Sequence, residues 1–174
     1  MTEEALTTVV VGYNDTDTAL KDFRDLERAH EEGRLPSYDA AVVERASDSD
    51  HRIVATTIDP DRKRLVRGAG LGLVLGVIYS PALAVAAVGA TVGAIVGSVV
   101  DDFVSLKHGD MEETRRLIDD SAANLVVISD SPHARQLESI ASSRAERTIV
   151  PLAPADIEAL KNELQRQWTT LPGA

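Results

Sequence analysis

The chain has 174 residues, enough for one domain with a real core, or one domain carrying a large insertion. Its net charge of -10 and pI near 4.8 exclude a surface built to neutralise phosphates, so no nucleic-acid partner is expected. The absence of cysteine excludes disulfides, thiol catalysis and thiolate metal sites.

The acidic start, Met1-Thr2-Glu3-Glu4, leads directly into a strand-like segment and carries no signal-peptide pattern. The expected location is therefore cytoplasmic, or peripheral to or embedded in the inner membrane, and not secreted. Thr7 to Gly12 is a short β-branched run and predicts a buried strand. Asn14 to Thr18 is a turn and helix-cap cluster. Ala19, Leu20, Phe23, Leu26 and His30 then recur at helical spacing, and Gly33 and Pro36 close that helix. Tyr38 to Arg45 predicts a second strand, completing β-α-β. Beyond the polar turn at Ser47 to Asp50, His51 to Ile58 predicts a third strand, hairpinned to the second.

A basic cluster, Arg62-Lys63-Arg64 with Arg67, leads into residues 68–100, which are 33 consecutive residues without a charge. Seven of the chain's 11 glycines lie there, six of them in two i, i+4 sets: Gly68, Gly72, Gly76 and Gly89, Gly93, Gly97. A helix puts each set on one face, leaving a strip bare of side chains. Each glycine costs a helix roughly 1 kcal/mol relative to alanine. The pattern makes sense where another backbone approaches along the strip, as in small-xxx-small helix packing. Tyr79-Ser80-Pro81 interrupts the run, so a helical hairpin with arms near 64–79 and 82–104 is predicted.

The arms are unequal. Pro81 to Val100 supplies about the 20 apolar residues a membrane crossing needs. Gly68 to Ser80 would span only about 20 Å as a helix, which argues against a symmetric double crossing. In an antiparallel hairpin Arg64 and Arg67 come together with Asp101 and Asp102, and ion pairing at the base is the expected arrangement. The basic cluster also suits anionic lipid headgroups. Outward faces bearing Leu71, Leu73, Val74, Leu75, Val77 and Ile78 on one arm, and Val85, Val88, Val92, Ile95, Val96 and Val99 on the other, exceed what soluble monomers expose. Protein copies and a lipid bilayer are the two candidate covers.

After Gly109, a short helix capped by Asp110 runs to about Ile118, with Glu112 and Glu113 suited to its N-terminal dipole. Asn124 to Ser129 predicts a buried strand. Asp130-Ser131-Pro132 starts a helix with Ala134, Leu137, Ile140 and Ala141 on its apolar face. Arg147 to Val150 is a short strand. From Pro154 a last helix aligns Ile157, Leu160, Leu164 and Trp168. The segment around Asn124 to Leu137 echoes the one around Thr7 to Leu20: apolar strand, Asp/Ser turn, amphipathic helix. The expected fold is α+β, a ferredoxin-like split βαβ sandwich with an inserted Gly/Ala-rich helical hairpin. Residues 1–60 form the first half plus an extra strand, 61–104 the hairpin, and 105–174 the second half with a C-terminal helix.

With Asp39-Ala40-Ala41-Val42-Val43, the glycine ladder and the strand around Val126 to Ile128 in place, the chain resembles a bacterial family of uncharacterised function. Its members combine a ferredoxin-like α/β domain with a central glycine-zipper hairpin, and they are often labelled membrane or stress-associated proteins. The resemblance implies this fold and offers no catalytic residues.

The residues themselves carry no catalytic constellation. His30, His51, His108 and His133 lack metal-ligand spacing. Asp15, Asp17 and Asp130 sit where helix caps belong. Gly68-Ala69-Gly70-Leu71-Gly72 lacks the lysine and the serine or threonine of a phosphate loop. No cofactor or metal is expected. The leading expectation is a non-catalytic homo-oligomer assembled through Gly68, Gly72, Gly76, Gly89, Gly93 and Gly97, with Val92 and Val96 alongside, at a membrane or in solution. The alternative is a small-ligand sensor or enzyme using the sheet, with the hairpin as membrane anchor.

Overall fold

The structure is a computed structural model describing residues 6–35, 38–47, 50–57, 111–130 and 146–151, together with Leu71, Gly72, Val74, Leu75, Ile78, Tyr79, Glu158 and Asn162. Its elements are β1 (Leu6–Tyr13), α1 (Thr16–Glu31), β2 (Tyr38–Ser47), β3 (Asp50–Thr57), α2 (Met111–Asp120), β4 (Ala123–Asp130) and β5 (Glu146–Pro151). Each of these seven elements answers to a segment expected from the sequence, displaced by three residues or fewer at its ends. The predicted helices over 132–141 and beyond Pro154 lie outside the described residues, apart from the helical and exposed Glu158 and Asn162.

The strands form a five-stranded sheet in the order β3-β2-β4-β1-β5. Every neighbouring pair is antiparallel. β1 and β2 therefore run parallel to each other with β4 between them, and β4 and β5 run parallel with β1 between them. The protein is α+β.

Local chemistry explains where α1 begins and ends. Asp15, in extended conformation, accepts the Thr18 backbone N–H at 2.7 Å and the Thr18 hydroxyl at 2.9 Å. At the other end Gly33 takes φ of +70°. Its N–H bonds the His30 carbonyl at 2.9 Å while the Arg34 N–H reaches the Ala29 carbonyl at 2.8 Å. These two bonds are a Schellman motif, which favours glycine at that one position.

The core lies on both faces of the sheet. On one, Val9, Val11, Tyr13, Ala40, Val42, Leu125 and Val127 meet Ala19, Phe23, Leu26 and Ala29 of α1. On the other, Thr8, Val10, Ala41, Val43, Asn124, Val126 and Ile128 are each fully buried. A second layer must therefore cover that face, and α2 and the first arm of the glycine-rich run supply its described parts. Leu71, Gly72, Val74, Leu75 and Ile78 are helical, and Leu71, Val74 and Leu75 are buried to 1% exposure or less. These three side chains, read from sequence as outward surface awaiting a partner, are covered within the single chain. The sheet offers two apolar faces, and α1 covers only one of them.

Candidate functional site

Strand alternation assembles a polar cluster beneath the arm. In β4, Leu125 and Val127 point toward α1, so Asn124 points to the opposite face. It stands in register between Gly12 of β1 and Val43 of β2. Tyr79 reaches this cluster from the end of the first arm, where its N–H donates to the Leu75 carbonyl at 3.0 Å and continues the helical ladder. Burial raises the Tyr79 hydroxyl's pKa, and the Asn124 side chain opposes part of that shift. The two groups face each other without reaching hydrogen-bond geometry: the Tyr79 hydroxyl and both amide atoms of Asn124 are buried and unpaired.

His51 completes the cluster from β3, opposite Arg45. Its ring meets that of Tyr79 edge-on, with centroids 4.9 Å apart and planes at 63°. Its Nε2 is buried without a hydrogen-bond partner. Burial holds the imidazole's pKa below its ordinary value, and Arg45 adds to that. Asp119 and Asp50 act in the opposite direction.

The rim of this face is held by the end of α2. Arg45 donates from its guanidinium to the Asp119 carbonyl and from its backbone N–H to the Ala122 carbonyl, the latter at 3.0 Å. Ala122 N–H in turn donates to the Tyr13 carbonyl at 2.8 Å. The Ser121 hydroxyl donates to the Leu117 carbonyl at 2.5 Å, and Gly12 packs directly beneath both residues.

A separate polar set lies on the α1 side. The Tyr13 hydroxyl donates to Asp22 at 2.9 Å in the core. Burial, reinforced by the Asp22 charge, raises the tyrosine's pKa. Tyr38 is pushed up to about 12 by burial first and Glu27 second. Its ring meets His30 edge-on at 5.6 Å, and His30 Nδ1 lies 2.9 Å from the Leu35 carbonyl. These contacts fasten α1 and its following loop to the sheet.

Of the glycine ladder, Gly72 is described, and it is helical and buried. Gly68, Gly76, Gly89, Gly93 and Gly97, with Val92 and Val96, lie outside the described residues. So do the expected hairpin-base residues Arg64, Arg67, Asp101 and Asp102. Among the described residues no group of three or more His, Asp or Glu side chains is arranged to hold a metal ion. Nor is any described helix long and apolar enough to cross a membrane.

By sequence alone, Tyr79 belongs to a helix break and His51 to a set of scattered histidines. The overlooked signal was continuity: Val9 to Val11, Ala40 to Val43 and Leu125 to Ile128 are unbroken apolar runs. Such strands are buried on both faces, so a polar Asn124 at the head of one of them is an exception requiring explanation.

A family model described as "Protein of unknown function (DUF1269)" matches residues 65–165, from the first arm through β4 and β5. That is more than half of the chain, and the protein belongs to this family. No curated protein and no solved structure matches it.

Proposed function

We propose that this member of the family is a non-catalytic, self-associating protein whose glycine-zipper hairpin drives homo-oligomer assembly. The carrying observation is the uncharged run over 68–100 with its two i, i+4 glycine sets. Six glycines in two helical arms are costly unless backbones meet along them. Leu71, Val74 and Leu75 are buried in the chain itself, and Tyr79 lies against the sheet. The first arm thus serves the domain's own second layer. The assembly role falls on the second strip, Gly89, Gly93 and Gly97, with Val92 and Val96 as its flanks.

The frame we propose for it is a ferredoxin-like split βαβ sandwich, 1–60 and 105–174, with the hairpin 61–104 inserted. With β3 set aside, the order β2-β4-β1-β5 with antiparallel neighbours is the order that two interleaved βαβ units produce. β3 then extends one edge, and the hairpin enters between β3 and α2. The occupant of the second strip is a further copy of the chain. An anionic bilayer is the competing cover, with Arg64 and Arg67 at its surface.

Replacing Gly93 with Leu tests the reading, because the branched side chain would hold two backbones apart. The expected result is loss of the oligomer by light scattering with the far-UV spectrum retained. An unchanged particle size would sink the zipper. A second reading, a small-ligand sensor or enzyme on the sheet, is favoured by the unpaired polar atoms of Asn124, Tyr79 and His51.

A further inference from the structure

We propose that His51 is a proton-operated latch: its neutral imidazole lets the glycine-rich arm dock on the sheet, and protonation releases it. The latch concerns docking within one chain, so it stands or falls separately from assembly.

The geometry carries it. Among the described residues, Tyr79 of the arm meets β3 at the His51 ring, with centroids 4.9 Å apart. The imidazole's Nε2 is enclosed and faces no acceptor. An imidazolium must donate from both ring nitrogens. A proton added while the arm is docked would therefore leave a buried donor unpaired and a charge partly removed from water. Undocking exposes Nε2 to solvent and removes both costs.

The charged groups around the ring are distributed over three elements. Arg45 of β2 repels the imidazolium, whereas Asp119 of α2 and Asp50 of β3 attract it. Neither acid provides Nε2 with a hydrogen bond, and burial outweighs their attraction. Tyr79 on the arm keeps its proton, since burial raises its pKa, and so contributes no anion to hold the imidazolium in place.

The sign follows from linkage. The docked state binds a proton less readily than the undocked one. Docking is therefore at full strength above the ordinary histidine value of 6.5 and weakens as pH falls from there toward the depressed docked value. The effect is confined to the window in which histidine titrates.

The chain has no cysteine, so a single thiol reports on the arm. Val74 is 1% exposed, so Val74→Cys places the thiol where the folded chain encloses the arm. Labelling rates, each divided by that of the urea-unfolded variant at the same pH, would be compared at about pH 7.5 and about pH 5.5. Protection is expected to fall measurably on acidification, by at most about tenfold, because about pH 5.5 lies one unit below the ordinary histidine value. The same measurement in Val74→Cys/His51→Gln should be flat. An equal fall with His51 replaced, or no fall with it present, overturns the latch. If the Gln variant already labels like the unfolded chain at neutral pH, His51→Phe takes its place, keeping a ring against Tyr79 that cannot titrate. If Val74→Cys itself undocks the arm, hydrogen exchange of the Tyr79 amide in the unsubstituted chain and in His51→Phe gives the same comparison.

Discussion

A Cβ placed on Gly12 would stand 2.2 Å from the Ser121 hydroxyl oxygen and 2.7 Å from Leu117 Cδ1. The Ser121 and Leu117 side chains at the end of α2 therefore rest directly on the β1 backbone at Gly12. That contact fixes how closely α2 lies on the sheet, and with it the position of Arg45 and Asp119 beside His51. Gly12→Ala should cost about 1–3 kcal/mol of stability, the range for overpacking a filled core. Urea unfolding measures it. Adding Ser121→Gly should recover only part of the loss, because Leu117 still obstructs the methyl group. A neutral Gly12→Ala would mean that α2 does not sit as described.

Tyr13 and Asp22 form a buried hydroxyl–carboxylate pair at 2.9 Å. Removing the donor leaves a buried carboxylate oxygen without that hydrogen bond. Tyr13→Phe should therefore destabilise by about 1–3 kcal/mol even though the ring is kept. Equal urea midpoints for the two proteins would refute this.

Asp15 begins α1 by accepting from Thr18, and those hydrogen bonds hold its carboxyl pKa below the ordinary value. The group binds protons less readily folded than unfolded. Its contribution is thus complete above the ordinary carboxylate value of 3.8 and is lost as pH falls through its own depressed value. Asp15→Ala should lower Tm at neutral pH, and Asp15→Asn should keep most of the capping. As pH falls, the difference between wild type and Asp15→Asn should shrink.

Asn124 separates the two functional readings. Its amide is buried and unpaired in the protein alone, so an apolar side chain of similar size should be tolerated or favoured. Asn124→Leu is expected to leave the urea midpoint unchanged or raised and the particle size unaltered. A loss of more than about 1 kcal/mol would show that the amide has a hydrogen-bond partner in solution, and would remove the support that its unpaired atoms lend to the ligand-binding alternative.

Fractionation with an alkaline wash decides between a further copy and lipid as the cover of the second strip. A large assembly in the soluble fraction is the expected outcome. Recovery only with detergent would assign that strip to the bilayer. Deleting 61–104 is a poorer test, because it would also bare the sheet face under Tyr79.

The sequence alone determined the elements, because their signals are local. Asp15 caps α1 through a residue three positions away, Gly33 ends it through its own backbone freedom, and β-branched runs mark the strands. It also raised the expectation that the central run packs helices, since residues at i, i+4 share one helix face. What it left open was which surface each apolar face meets. Leu71, Val74 and Leu75 read from sequence as a surface for lipid or for another copy, and burial within the chain itself has no local signal, because hydrophobic burial has no direction that a sequence can encode. Tertiary structure decided it by setting β4 between β1 and β2, which made a sheet apolar on both sides with α1 on only one. The same arrangement brought His51, Tyr79 and Asn124 together from positions far apart in the chain, where no spacing rule could have joined them.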